Sequence, residues 1–331
     1  MTTASLVHKF FPTPQFLEMP ATSFSFSDSS LRMLELHQEK GVIKILNYHE
    51  EALEYGVIER GEIKDPESFQ QALSKFKERY KINFIKCVLP EENGFVYATP
   101  LPQETKKIEE VREYVEFNLE ENVPLNTEDA VFDVRDCLLN GGNRIATVFV
   151  FPYELVKQYI DSFDAVGMIP LSFESESRAL ARSVIARGNK YTYMVIQIKE
   201  RSTNFFLVYQ EQVVLVFTVR KGSQELVSDQ SSEDDNWLRN KLRQVEQYWK
   251  NKVAPELGAE SQIEGVITCG EGLERDNVIK TVAKQLGTQV EIANVWKNIT
   301  SFEEYVPEIP YNESLRYGSV IGLASKQLID Q

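Results

Sequence analysis

Apolar positions along this chain switch between two periods. Phe24–Phe26, Ser30–Leu36 and Val42–Tyr48 show the two-residue alternation of strands and lie close enough to form a meander, with a short further strand near Tyr55–Arg60. "IKDPESFQQALSKFKERYK" then changes to helical spacing. Asp65 is placed to cap this helix, Pro66 suits its first position, and Phe69, Leu73, Phe76 and Tyr80 share one face. "INFIKCVLP" predicts a buried strand ended by Pro90. Next come a strand at Gly94–Thr99, a helix at Thr105–Leu119, strands at Ala130–Arg135 and Arg144–Phe151, and a helix at Pro152–Val166. The stripe Ile108, Val111, Val115 and Leu119 packs that first helix on its own sheet, and the whole interval suits a small α+β module inserted in a larger lobe.

The second half repeats the first in outline. "YTYMVIQIKERSTNFFLVYQEQVVLVFTVRKG" is again strand, polar turn, strand, turn and strand, so two lobes each open with a meander, the mark of a duplication. "SQELVSDQSSEDDN" is polar and acidic and predicts an exposed, mobile linker over Ser223–Asn236. A helix from about Asp235 to Val253 follows, with Leu238, Leu242, Val245 and Trp249 on one face. "IEGVITCGEGLERDNVIKTVAKQL" gives strand, glycine turn and helix, "VEIAN" a short strand, and "SLRYGSVIGLASKQLI" a closing helix.

Composition narrows the function classes. The 331 residues are 42% hydrophobic, enough for a sizeable core, and the longest apolar runs are strand-sized, so no membrane span is expected. Met1–Phe11 lacks the features of a secretory leader. Three scattered cysteines, Cys87, Cys137 and Cys269, build no disulfide framework and fit a reducing, cytoplasmic compartment. A net charge of −14 opposes nucleic acid and anionic lipid, leaving the membrane reachable only through a partner. His8, His37 and His49 are not spaced as metal ligands, and no Walker loop, dinucleotide fingerprint or nucleophile elbow is present. Acidic pairs such as Glu120-Glu121 and Glu303-Glu304 read as solvated surface.

The order of "FPTPQFLEMPA…DSSLRMLEL", "RGEIKD", "EENVPLNTEDAVFDV", "AVGMIPLSFESESRALARSVI" and "EGVITCGEG" resembles PilM, the actin-fold assembly family of type IV pili, over about Phe11–Leu328. The resemblance implies an α/β, two-lobed, actin-like (duplicated ribonuclease H-like) fold, with an α+β subdomain inserted in the first lobe and a reduced outer subdomain in the second. The boundaries expected are an N-terminal extension at 1–20, the first lobe at 21–91 and 165–189, the insert at 92–164, the second lobe at 190–222 and 236–331, and an acidic linker at 223–235 in place of the outer subdomain.

The family's nucleotide motifs are altered here. Its first phosphate hairpin has Asp-Ile-Gly or Asp-Ile-Ser, a serine-rich turn and a Lys or Arg; this chain has Ser25, Phe26 and Ser27, then Asp28, Ser29 and Ser30 before Leu31 and Arg32. The metal-organising carboxylate is missing, and Asp28 on the turn would repel phosphate. The serines equally suit bonds to their own turn. In the second hairpin Gln197 takes the aspartate position, ahead of Ile198, Lys199, Glu200, Arg201, Ser202 and Thr203, whose alternating charges read as a solvated turn. Gly270 and Gly272 survive at the adenosine-facing turn, where glycine also serves simply to turn the chain. Ser25, Ser27, Asp28, Ser29, Ser30, Arg32, Gln197, Lys199, Arg201, Ser202, Gly270 and Gly272 therefore outline a vestigial pocket. The expectation is a cytoplasmic, non-catalytic scaffold without cofactor or metal. The resemblance further implies docking on the N-terminal cytoplasmic peptide of a PilN-like bitopic membrane protein, at the inner face of the plasma membrane, with the pilus motor ATPase as a further candidate partner. The alternative is an ATP- and magnesium-dependent switch with slow hydrolysis and unusual ligands. A cell-division tether is disfavoured because "GLASKQLIDQ" is not a basic amphipathic helix.

Overall fold

β1 (Thr22–Phe26), β2 (Ser30–Glu39) and β3 (Val42–Ala52) form the expected antiparallel meander, in a computed structural model that describes residues 21–139, 142–228, 237–273 and 290–329. The small hairpin β4 (Ile58–Glu59) and β5 (Glu62–Ile63) leads to α1 (Pro66–Tyr80). Its cap is the one the sequence specifies: Asp65 Oδ1 accepts from the Ser68 N–H at 3.1 Å. β6 (Phe84–Leu89) then returns parallel to β1. Phe69, Leu73 and Phe76 of α1 are buried against Phe24 and Phe26 of β1, with Tyr159 and Phe163 completing the cluster. Phe26 and Tyr159 pack with tilted rings at 5.2 Å between centroids, Phe24 and Phe76 edge-on at 5.5 Å. Each such side chain contributes on the order of 1.5–3 kcal/mol by leaving water.

The insert follows as β7 (Phe95–Pro100), α2 (Ile108–Phe117), β8 (Ala130–Leu138) and β9 (Arg144–Pro152), and α3 (Tyr153–Ala165) brings the chain back to β10 (Ile169–Ser175) and α4 (Glu176–Val184). Val111, Val115 and Leu119 pack inward as their spacing predicts, while Ile108, at the first turn of α2, stays 52% exposed. The insert's strands also do more than its own periodicity reveals. They extend the sheet of the second lobe, with Tyr97 of β7 opposite Leu215.

The second half runs β11 (Thr192–Ile198), β12 (Thr203–Tyr209), β13 (Gln212–Val219), α5 (Ser223–Ser228), α6 (Trp237–Tyr248), β14 (Gly265–Gly270), β15 (Val290–Ile292) and α7 (Gly318–Ile329). Leu238, Leu242, Val245 and Trp249 are all buried, as one face. The linker expectation fails over its first six residues. They form α5, with Ser223 and Leu226 buried, because Leu226 reaches the second lobe's core. The remainder of that run, the 1–20 extension with its leader reading, and the helix expected after Leu273 lie outside the described residues.

The two sheets share one strand order. The first is β10-β6-β1-β2-β3, and the second is β15-β14-β11-β12-β13, continued by β7-β9-β8. In each, a meander is flanked on its first strand by two parallel strands, and a helix follows the last of these. α4 sends Leu180, Ala181 and Val184 into the second lobe's core, whereas α7 packs on β1 and β2 of the first. The two helices cross closely at Gly318 and Gly322: a side chain at Gly322 would run into the Ala179 carbonyl oxygen.

Candidate functional site

The strand order brings three turns together between the sheets: β1–β2, β11–β12 and the end of β14. In the β1–β2 turn Ser27 Oγ accepts the N–H groups of Ser30 at 3.2 Å and Ser29 at 3.4 Å. These are the donors that a phosphate would need, and the serines therefore serve their own turn. Ser25 is buried in β1, its hydroxyl unpartnered among the described residues. Asp28 points elsewhere, taking the Gly61 N–H at 3.3 Å, and burial pushes its carboxyl up.

Arg32, opposite Ser25 in the ladder, is buried and held by carboxylates from both lobes. Its guanidinium meets Glu50 of β3 at 2.9 Å and Glu271, just beyond β14, at 2.8 Å. Glu50 also takes Arg316 at 3.0 Å, and Ser29 Oγ lies 3.4 Å from Glu271. Burial alone would raise the Glu271 carboxyl; the Arg32 guanidinium overrides it and holds the group below the usual carboxylate range. Gly270 and Gly272 make this placement possible. Both have positive φ, and side chains there would collide with the Ile198 carbonyl and with Ser223. Their role is to press a turn between two hairpins.

The β11–β12 turn corrects the sequence reading. Lys199 is not solvated: it is 5% exposed, with its ammonium 2.8 Å from Glu92 and 2.5 Å from Glu176. Burial acts to lower its pKa, but the two carboxylates prevail and raise it. Ser202 Oγ donates to Glu92 at 2.9 Å, and Gln197 Nε2 to Glu176 at 2.7 Å. Gln197 Oε1 in turn accepts from Asn204 at 3.1 Å. Gly222 and Ser223 close over the turn, the Ser223 N–H donating to the Lys199 carbonyl at 2.8 Å.

Seven of the twelve predicted residues line two separate cavities, and Ser25, Ser27, Gln197, Lys199 and Gly270 line neither. Ser29, Ser30, Arg32 and Gly272 line one of about 700 Å³ with Glu50, Glu271 and Arg316. Asp28, Arg201 and Ser202 line another of about 400 Å³, where the Arg201 guanidinium lies 4.2 Å from the centre of the Tyr55 ring. Magnesium-ATP does not fit this chemistry. No carboxylate occupies either aspartate position, and Arg32 and Lys199, the buried cations beside these turns, are each held by two glutamates. Sequence reasoning missed Glu50, Glu92, Glu176, Glu271 and Arg316. The available signal was local: Glu92 follows a strand-ending proline, Glu176 opens a helix, and Glu271 stands between two glycines.

No protein-family model matches the chain, and no curated protein matches it in sequence. Solved structures do. The chain is similar to a chain of a PilM-PilN type IV pilus biogenesis complex, with 14% identity over 93% of this chain and 98% of that one and a TM-score of 0.69. It is similar at lower scores to the ethanolamine utilization protein EutJ from Carboxydothermus hydrogenoformans (9% identity, 93% and 90% covered, TM-score 0.48). The cytoplasmic domain of EpsL, an inner-membrane component of the Vibrio cholerae type II secretion system, gives 11% identity, 94% of each chain and 0.46. The first likeness and the repeated strand order establish the two-lobed, actin-like fold that the sequence resemblance implies.

Proposed function

We propose that this chain is a non-enzymatic scaffold of a type IV pilus or related secretion assembly machine, held in the cytoplasm at the inner face of the membrane by a bitopic, PilN-like partner. The observation that carries this reading is the state of Arg32 and Lys199: both are buried, and both are bound by carboxylates from across the cleft. The two cations that stand beside the altered turns are therefore already engaged by protein carboxylates rather than open to a nucleotide phosphate. The fold likeness to a chain of a PilM-PilN complex supports the choice of machine and of partner, with the motor ATPase as a second candidate partner. Among the described residues no helix is long and apolar enough to cross a membrane, so attachment through a partner is consistent with the fold.

The docking surface is assigned to the junction of the insert with the first lobe. There β8 and α3 leave Val131 41% and Tyr153 49% exposed. A short apolar peptide laid there gains burial and loses ordering entropy, giving an expected affinity in the micromolar range. Two titrations test the proposal. In the first, thermal unfolding with millimolar magnesium-ATP is expected to show no stabilisation, where a true binder at several hundred to a thousand times its Kd would gain roughly 3–4 kcal/mol. In the second, a fluorescent N-terminal peptide of the candidate membrane partner is expected to bind saturably without nucleotide and to lose affinity with Tyr153→Glu. Peptide binding that requires magnesium-ATP would overturn the scaffold reading in favour of a nucleotide-driven switch.

A further inference from the structure

We infer that Arg32 on β2 and the Ser29 hydroxyl form an anion site with an internal occupant: the Glu271 carboxylate, carried in from the other lobe, fills the place of a bound oxyanion and latches the lobes together. This rests on the reading above that the cleft does not use nucleotide, and assigns what that cleft does instead. The geometry is that of a ligand in a pocket. Glu271 Oε1 sits 2.8 Å from the Arg32 guanidinium, and Oε2 is 3.4 Å from Ser29 Oγ on the β1–β2 turn. The residue is only 9% exposed, and its sequence neighbours are glycines whose backbone lies against the second hairpin and Ser223. The carboxylate is thus delivered from a turn pressed closely against the second hairpin.

The charges in the cavity make the assignment testable. Arg32 and Arg316 face Glu50 and Glu271, and Glu200 at the rim accepts from Gln224 at 2.6 Å. Removing the Glu271 carboxylate takes from Arg32 Nη1 the acceptor it has at 2.8 Å, in a cavity of about 700 Å³, ample for a free oxyanion of the same hydrogen-bonding kind. Inorganic phosphate is therefore a replacement ligand. A buried carboxylate with a merely structural role would give a variant that is destabilised but indifferent to phosphate.

The experiment compares the full-length wild type with Glu271→Ala in phosphate and in chloride of matched ionic strength, reading amide exchange over residues 27–31 and the melting temperature. Glu271→Ala is expected to exchange at least tenfold faster there and melt lower in chloride, and to recover both in tens of millimolar phosphate. The wild type should not respond, and Arg32→Met in the Glu271→Ala background should abolish the recovery. Should Glu271→Ala fail to fold, Glu271→Gln decides: phosphate raising its melting temperature more than that of the wild type supports the assignment, and equal responses overturn it. Wild-type exchange rates in folded Glu271→Ala, or a destabilised variant deaf to phosphate, also overturn it. Stabilisation of the wild type by magnesium-ATP is a separate outcome that sinks the scaffold function, whereas indifference of the variants to phosphate removes only the internal ligand.

Discussion

At the scale of single residues, the most consequential group is Lys199. Its ammonium keeps Glu92 and Glu176 compatible with each other inside the protein, so deleting it leaves two buried carboxylates facing one another. Lys199→Ala is expected to cost about 3–5 kcal/mol in chemical denaturation, the usual penalty for breaking a buried pair, and the neutral set Lys199→Met, Glu92→Gln, Glu176→Gln to recover most of it. Little of this was legible. Alternating charges in "KERS" describe a solvated turn in every local respect, and Lys199 is buried only because Glu92 arrives from a segment more than 100 positions earlier. What could be read locally was right: the absence of carboxylates at positions 25 and 197 and the self-bonded serines both follow from side-chain chemistry within a few residues.

At the scale of elements, the sequence was far more informative, because each helix carries its own start signal and its own stripe. α1 is the clearest case. Asp65, Pro66 and the Phe69-Leu73-Phe76 face define it without reference to the rest of the chain, and Asp65→Ala is expected to lower stability by about 1 kcal/mol, measured as a shift in denaturation midpoint at unchanged m-value. α5 shows the limit. Six residues bearing one buried leucine cannot display a period, so the acidic run beyond them dominated the reading. The insert's continuity with the second sheet was equally hidden, since an edge pairing between β7 and β13 leaves no mark on either strand's alternation.

At the scale of the molecule, burial sorts the acids into opposing sets. Burial acts to raise Glu50, Glu174 and Glu271, yet the arginines around them prevail and hold them below the ordinary carboxylate value, while burial succeeds in raising Asp28, Glu91 and Glu176. For the first set the contribution to stability is present above about pH 4.3 and disappears as pH falls through the lower folded values. The second set binds more protons folded than unfolded, so its contribution declines as pH rises above that same point. A melting temperature that is highest at about pH 4.3, falling toward pH 3 and declining again above that point, is expected in a scan from pH 3 to pH 8; no decline anywhere above it would contradict the assignment of the raised group. The duplication itself could be read from the sequence, as two meanders, but not the exchange of closing helices.

That exchange bears on how the chain must be made. The helix that covers β1 and β2, α7, spans Gly318–Ile329, whereas β2 ends at Glu39. A nascent chain can pair this meander early, yet it holds one face of that sheet open until α7 has been made, for tens of seconds at about 5–20 residues per second. Such long-range closure is slow and leaves apolar surface available to chaperones or to a neighbouring copy. Truncating α7 by one or two turns would be felt as a defect in the lobe built on β1 and β2, in yield before partner binding, although the two regions are far apart in sequence.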